Sequence, residues 1–151
     1  MDDIDKKILN ELQINSNRTV SELAKTLNLP RTTVNNRVNK FEKEGIILNY
    51  KAIIDMKKIN LPVTALVHIV ITSNESVHDI AQKLKKRACV EEVYVTAGQY
   101  DIIAKVRLKN NEELSTFIFD SKTGLRSWKS IERTDSMIVL ETVKENGEIL
   151  L

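Results

Sequence analysis

The stretch TVSELAKTLNLPRTTVNNRVNKFEKEG, Thr19 to Gly45, decides how this chain reads. Thr19-Val20-Ser21-Glu22 has the form of a capping box, in which a hydroxyl accepts from the backbone three residues on and the glutamate reaches back. Val20, Leu23, Ala24 and Leu27 then give a short helix one apolar side. Asn28-Leu29 makes a turn, and Pro30 suits the first position of the next helix, where no backbone N–H is needed. Val34, Val38 and Phe41 form the apolar stripe of that helix, and Gly45 closes it. Upstream, Ile4, Ile8, Leu9 and Leu12 recur at helical spacing, so residues 3–13 read as a preceding helix broken by Asn15-Ser16-Asn17. Three helices with a tight turn between the second and third describe a helix-turn-helix unit.

The third helix carries the chemistry. At about 100° per residue, Thr32, Asn36, Asn39, Lys40 and Lys43 lie opposite the apolar stripe, with Thr33 and Arg37 beside them. Such side chains can neutralise phosphates and hydrogen-bond to base edges, as a helix in the major groove must. The same pattern also fits a plainly solvated helix. Charge favours the first reading: residues 31–58 hold seven basic and three acidic side chains, against four and five in residues 1–30, within a chain of net charge +2.

Residues 46–55 take on β character with a turn near Asn49, and Lys57 to Pro62 reads as a connection. Beyond it the period changes. Val63–Thr72 reads as a strand, Ser76–Arg87 as a helix, Val90–Thr96 and Ile102–Leu108 as strands joined by a tight Gly98–Asp101 turn. Asn111–Asp120 reads as a helix and Ser136–Val143 as a last strand. The order βαββαβ is that of a ferredoxin-like sandwich. The expected fold is thus α+β, a winged-type helix-turn-helix followed by a ferredoxin-like domain. The expected division is 1–50 for DNA binding, 51–62 for a linker or strand, and 63–151 for effector binding and assembly. One sheet face would lack helices, and if apolar it would need a partner surface.

Composition narrows the function classes. At 151 residues, 42% hydrophobic and 29% charged, with 4 Gly and 2 Pro, the chain has a folded composition. A single cysteine, Cys89, allows no intramolecular disulfide or thiolate zinc site, and it reads as a small packed residue. His68 and His78 do not form a recognisable metal pair, and no P-loop, GxGxxG or GxSxG occurs. No catalytic, metal or cofactor site is therefore expected, and an enzyme is disfavoured. Apolar runs such as Val67–Ile71 are far shorter than the roughly 20 residues of a membrane span. The opening Met1-Asp2-Asp3-Ile4-Asp5 lacks the marks of a signal peptide, so a cytoplasmic protein is expected. Trp128 reads as a core or interface filler, and Lys83, Lys85, Lys86 and Arg87 as a solvated helix end.

Taken together, the motifs resemble the Lrp/AsnC (feast/famine) family of transcriptional regulators. The resemblance rests on Asp2 to Leu9 with Glu22-Leu23-Ala24, and on Val34, Arg37, Val38, Phe41, Glu42, Gly45, Ile46 and Ile47. It extends through Val93-Tyr94-Val95-Thr96-Ala97-Gly98-Gln99-Tyr100-Asp101-Ile102-Ile103 and Thr134 to Lys144. Pro30 in place of a serine cap, Phe41 in place of leucine, Ser136 in place of a second threonine, and the Thr123–Trp128 segment depart from the family pattern.

The resemblance implies a sequence-specific regulator acting on double-stranded DNA as a homodimer or a higher homo-oligomer, tetramer or octamer. It also implies an amino acid or related small-molecule effector at the C-terminal domain. DNA contacts would fall on Arg31, Thr32, Thr33, Asn36, Arg37 and Lys40. Effector contacts would fall on Gly98, Gln99, Tyr100 and Asp101, with Thr134 and Ser136 from the last strand or a neighbouring subunit. There Asp101 would pair with an ammonium and N–H groups around Gly98 would receive a carboxylate. The plainer alternative is that Gly98 serves the turn and Asp101 satisfies backbone N–H groups. The competing function is a ferredoxin-like small-molecule enzyme or an assembly module without DNA binding.

Overall fold

A computed structural model of the chain describes residues 1–72, 75–145 and 147–151. It divides into two compact units: Met1–Ile53 with Val143–Leu151, and Ile54–Thr142.

The first unit holds three helices, α1 (Asp3–Ile14), α2 (Val20–Leu27) and α3 (Arg31–Lys43). Each boundary has a local cause. At the start of α1, Asp2 and Asp5 exchange backbone-to-carboxylate hydrogen bonds of 2.8 and 2.9 Å, satisfying two N–H groups that the helix cannot. The expected Thr19–Glu22 box is present at α2, with bonds of 3.2 and 2.7 Å. α2 ends on Asn28 at φ 53°, a left-handed residue that asparagine tolerates. Pro30 sits one residue earlier than expected, as the N-cap at ψ 136°, with Arg31 opening α3. Gly45 at φ 70° ends that helix, and the Ile46 N–H returns to the Phe41 carbonyl at 2.8 Å. Ile8, Leu9, Leu23, Ala24, Val34, Val38 and Phe41 close into one core.

Residues 46–55 form no strand, contrary to the sequence expectation. A strand needs a neighbour to satisfy its backbone groups, and this segment pairs with no strand among the described residues. Beyond the Ile46 and Ile47 N–H groups, which both reach the Phe41 carbonyl, it is held by Tyr50, whose hydroxyl donates to Glu42 Oε1 at 2.9 Å. Desolvation first, then that carboxylate, pushes the Tyr50 phenol up to about 12. A raised phenol pKa favours the protonated folded form, so this stabilisation is complete below about pH 10 and is lost as pH rises through about 12. Alkaline denaturation should therefore steepen in that window, and Tyr50→Phe should flatten it; identical profiles would show that Tyr50 is not held by Glu42.

The second unit is the expected βαββαβ sandwich: β1 (Val63–Ile71), α4 (Val77–Lys85), β2 (Val90–Val95), β3 (Ile102–Leu108), α5 (Asn111–Phe119) and β4 (Ile131–Ile138). The sheet order is β2-β3-β1-β4 with every pair antiparallel. Ala65, Val67 and Ile69 of β1, and Ile102, Val106 and Leu108 of β3, meet Ile80, Leu84, Leu114, Phe117 and Ile118 of the helices. Trp128 and Cys89 pack partly buried against this core, and burial pushes the Cys89 thiol up.

One expectation fails here, and one condition is not met. The last strand starts at Ile131, not Ser136, and ends at Ile138, leaving Leu140 and Val143 more than nine-tenths exposed. Its Glu132–Ser136 portion is polar because β4 is an edge strand, partly wet on both faces. The helix-free face is also not apolar at its centre. Lys105, only 8% exposed, lies 3.3 Å from Glu91 and 3.6 Å from Glu92, and Arg107 Nε is 2.7 Å from Glu91. Arg107 also donates to the Thr64 hydroxyl. Long cations at alternate strand positions are buried there as ion pairs rather than left in water.

Candidate nucleic-acid interface and effector hairpin

α3 separates its two faces cleanly. Val34, Val38 and Phe41 are buried, while Arg31, Thr32, Asn35, Asn36, Asn39, Lys40 and Lys43 are exposed and Thr33 is half-buried. The exposed set has no acidic residue before Glu42. Lys40 has only a loose pairing with Glu44 at 3.9 Å, which water and salt screen. Its ammonium can exchange that partner for a phosphate at little cost. The asparagines offer both donor and acceptor to a base edge.

Arg37 is placed otherwise. Its Nη1 lies 2.7 Å from Asp5 Oδ1 and 2.8 Å from Asp2 Oδ2, and the Asp5 side chain is only 6% exposed. Hydrogen bonds to Asp5 first, then Asp2, raise the guanidinium pKa still further.

In the second unit the structure brings Gly98, Gln99, Tyr100 and Asp101 together at the β2–β3 turn. Gly98 sits at φ 142°, open to glycine and strained for other residues. Asp101 braces the turn: its N–H donates to Ile69 O at 2.9 Å and its Oδ2 accepts from Ile71 N–H at 2.8 Å. Thr96 closes the hairpin, its N–H donating to the Asp101 carbonyl at 2.9 Å and its hydroxyl to the Tyr100 carbonyl at 2.6 Å. Tyr100 turns onto the helix-free face, its ring 4.7 Å from the buried His68 ring, with the Arg133 guanidinium 5.9 Å away. A hydrogen bond to Asp135 raises the Tyr100 phenol pKa.

Thr134 and Ser136 are not brought onto that face. They pair with Ile69 and Val67 on the helix side of the sheet, whereas Asp135, between them, pairs with His68. Sequence reasoning missed His68, Arg133 and Asp135 as companions of Tyr100. Their signal is the shared alternation of two strands, which is readable only once the β1–β4 register is known.

A model of winged helix-turn-helix DNA-binding domains matches residues 1–47, and one of Lrp/AsnC ligand-binding domains matches residues 64–149. The chain belongs to the Lrp/AsnC family. It is a DNA-binding transcriptional regulator of that family. The HTH-type transcriptional regulator FL11 of Pyrococcus horikoshii is 34% identical over 149 residues, spanning 99% of this chain and 95% of the relative. AsnC of Escherichia coli shares the fold at a TM-score of 0.84 and 26% identity, over 96% of this chain and 95% of that one. The feast or famine regulatory protein of Mycobacterium tuberculosis, complexed with L-methionine, matches at 0.88 and 27% over 99% of both chains. A transcriptional regulator of Neisseria meningitidis, also in complex with L-Met, matches at 0.89 and 25%, over 96% of this chain and 93% of that one. Among the described residues of this Lrp/AsnC chain, no helix is long and apolar enough to cross a membrane.

Proposed function

We propose that this Lrp/AsnC regulator binds a specific duplex operator through α3 as a homodimer or larger homo-oligomer, and that an amino acid bound at the β2–β3 hairpin modulates it. The observation that carries the reading is the division of α3 into a buried Val34-Val38-Phe41 stripe and an exposed Thr/Asn/Lys face. Arg31, Thr32, Thr33, Asn36 and Lys40 are the DNA contacts: the cations hold the phosphates, and Thr32 and Asn36 read base edges. Two-fold symmetry would set two such helices about one DNA turn apart, or a multiple of it. An electrophoretic shift series on duplexes from the gene's own upstream region tests this; no retarded species at about 50 mM salt would refute it.

For the effector, a free amino acid brings an ammonium and a carboxylate, and each needs a partner. Gly98 lets backbone N–H groups approach a carboxylate, Asp101 supplies the negative charge, and the Gln99 side chain bears on selectivity. Thr134 and Ser136, lying on the other side of the sheet from Tyr100, would act on an effector held against a neighbouring subunit. A site shared between subunits binds better in one assembly than in another, and that difference shifts the population. L-methionine, found in two solved relatives, heads the panel to be tried. Because Asp101 also braces Ile71, Asp101→Asn is the informative variant: it keeps an acceptor for the Ile71 N–H and removes the charge. Calorimetry should show one amino acid binding the wild type, and at least about tenfold weaker binding to Asp101→Asn, equal to about 1.4 kcal/mol. Equal affinity for the two would remove Asp101 from the ammonium role.

A further inference from the structure

Arg37 falls at the second position of the 34-37-38-41 stripe of α3, about 60° from Val34 on the helical wheel and on the side that faces α1. Its guanidinium is met there by the two carboxylates that also cap α1. Asp5 Oδ1 and Asp2 Oδ2 each accept from Nη1, while Asp5 Oδ2 accepts the Asp2 N–H and Asp2 Oδ1 accepts the Asp5 N–H. Every carboxylate oxygen of the pair is thus engaged in one network joining the first turn of α1 to the middle of α3. The Asp5 side chain is buried, so its carboxylate is met by the guanidinium and by backbone N–H rather than by water. Taken as a group, two carboxylates and one guanidinium carry a net negative charge, which repels a phosphate instead of attracting it.

We infer that Arg37 is a positioning residue for DNA recognition: it pins the rotation and axial setting of α3 on the N-terminus of α1, so that Thr32, Asn36 and Lys40 present in register to base edges. It does so without contributing as a phosphate cation. The inference rests on the DNA-binding reading above and gives Arg37 a different part within it. A planar guanidinium suits the task because it can hold two carboxylates in fixed directions, which an ammonium on a flexible stem does not. Asp5 and Asp2 are members of the same device, although neither lies on α3.

The two roles differ in sign and in salt dependence. A phosphate cation, when removed, weakens binding to all duplexes alike and lowers the salt slope by about one per site. A positioning residue, when removed, weakens operator binding, leaves random-duplex binding in place and leaves the slope unchanged. Asp5→Asn separates them most sharply. It deletes a negative charge close to the DNA-binding helix, so electrostatics alone predicts equal or tighter binding, whereas loss of the strut predicts weaker operator binding.

The experiment is fluorescence anisotropy of the full chain on a selected operator duplex and on a random duplex, across a salt series, for wild type, Asp5→Asn, Arg37→Gln and Arg37→Lys. Asp5→Asn and Arg37→Gln should each lower the operator-to-random affinity ratio by about tenfold, with salt slopes matching the wild type. Arg37→Lys, which keeps the charge and protects against a simple failure to fold, should keep the wild-type slope and lose part of the ratio. A slope reduced by about one per protomer in Arg37→Gln, with the ratio intact, would overturn the inference. So would an unchanged ratio in Arg37→Lys together with tighter binding by Asp5→Asn. Wild type that binds neither duplex would refute the DNA-binding reading itself, and this inference with it.

Discussion

Phe41→Ala should destabilise the helix-turn-helix unit by about 3–5 kcal/mol and abolish operator binding at 37 °C. Phe41 is 2% exposed and is the largest of the fully buried side chains among the described residues. It packs in a core of only seven buried residues, with Ile8, Leu9, Leu23, Ala24, Val34 and Val38. A unit of about 60 residues has roughly 3–9 kcal/mol in all, so the cavity left by a phenyl ring takes most of its stability. The Phe41 carbonyl also receives the Ile46 N–H, so the end of α3 loosens with the side chain. The Ile69–Ile102–Phe117 core shares no buried residue with this one. Calorimetric melting should therefore show one transition lowered or missing and a second kept. A variant with both transitions unchanged and full DNA binding would mean that Phe41 is not the keystone of the first core.

Operator affinity should fall by about a thousandfold between 50 and 200 mM salt. Arg31 and Lys40, and beside them the further exposed cation Lys43, would come to six cations near the phosphates in the proposed dimer. Each cation that meets a phosphate releases condensed counterion, giving a slope of log K against log salt of about −5. Lys40→Ala should flatten that slope by about one per protomer while weakening operator and random duplex alike, because a point charge on phosphate carries no sequence information. A slope near zero would mean that the basic face of α3 does not meet the DNA backbone.

How much of this was legible in the sequence depends on whether a feature is local. The Thr19–Glu22 box, the Val34-Val38-Phe41 stripe and the Gly45 end of α3 are written within a few residues, and the structure has them. The alternation of β1 and β3 was equally readable, because both central strands bury one face against helices. The start of β4 reads five residues late because an edge strand has little apolar alternation, while the apolar Met137-Ile138-Val139-Leu140 run lies at and just beyond its end. The charged centre of the open sheet face was missed for a related reason. Lys105 and Arg107 look outward and solvated by sequence, and only the bulged β2–β3 register brings Glu91 and Glu92 to them. Arg37 was read by its charge, although its place among 34, 38 and 41 already put it on the inner side of the helix. Gly98 to Asp101 are contiguous, so their gathering at one turn is legible in the sequence; His68, Arg133 and Asp135 meet Tyr100 only through pairing across the sheet.

The central claim, that the outer face of α3 reads DNA sequence, is tested most directly by selecting binding sites from a random duplex pool with wild type and with Asn36→Ala. Wild type should enrich a two-fold symmetric motif with half-sites about one helical turn apart, or a multiple of it. Asn36→Ala should enrich the same motif relaxed at one position of each half-site, where a lost bidentate contact is worth about 1–3 kcal/mol. No enriched motif from the wild type, or an identical motif from the two proteins, would contradict the account.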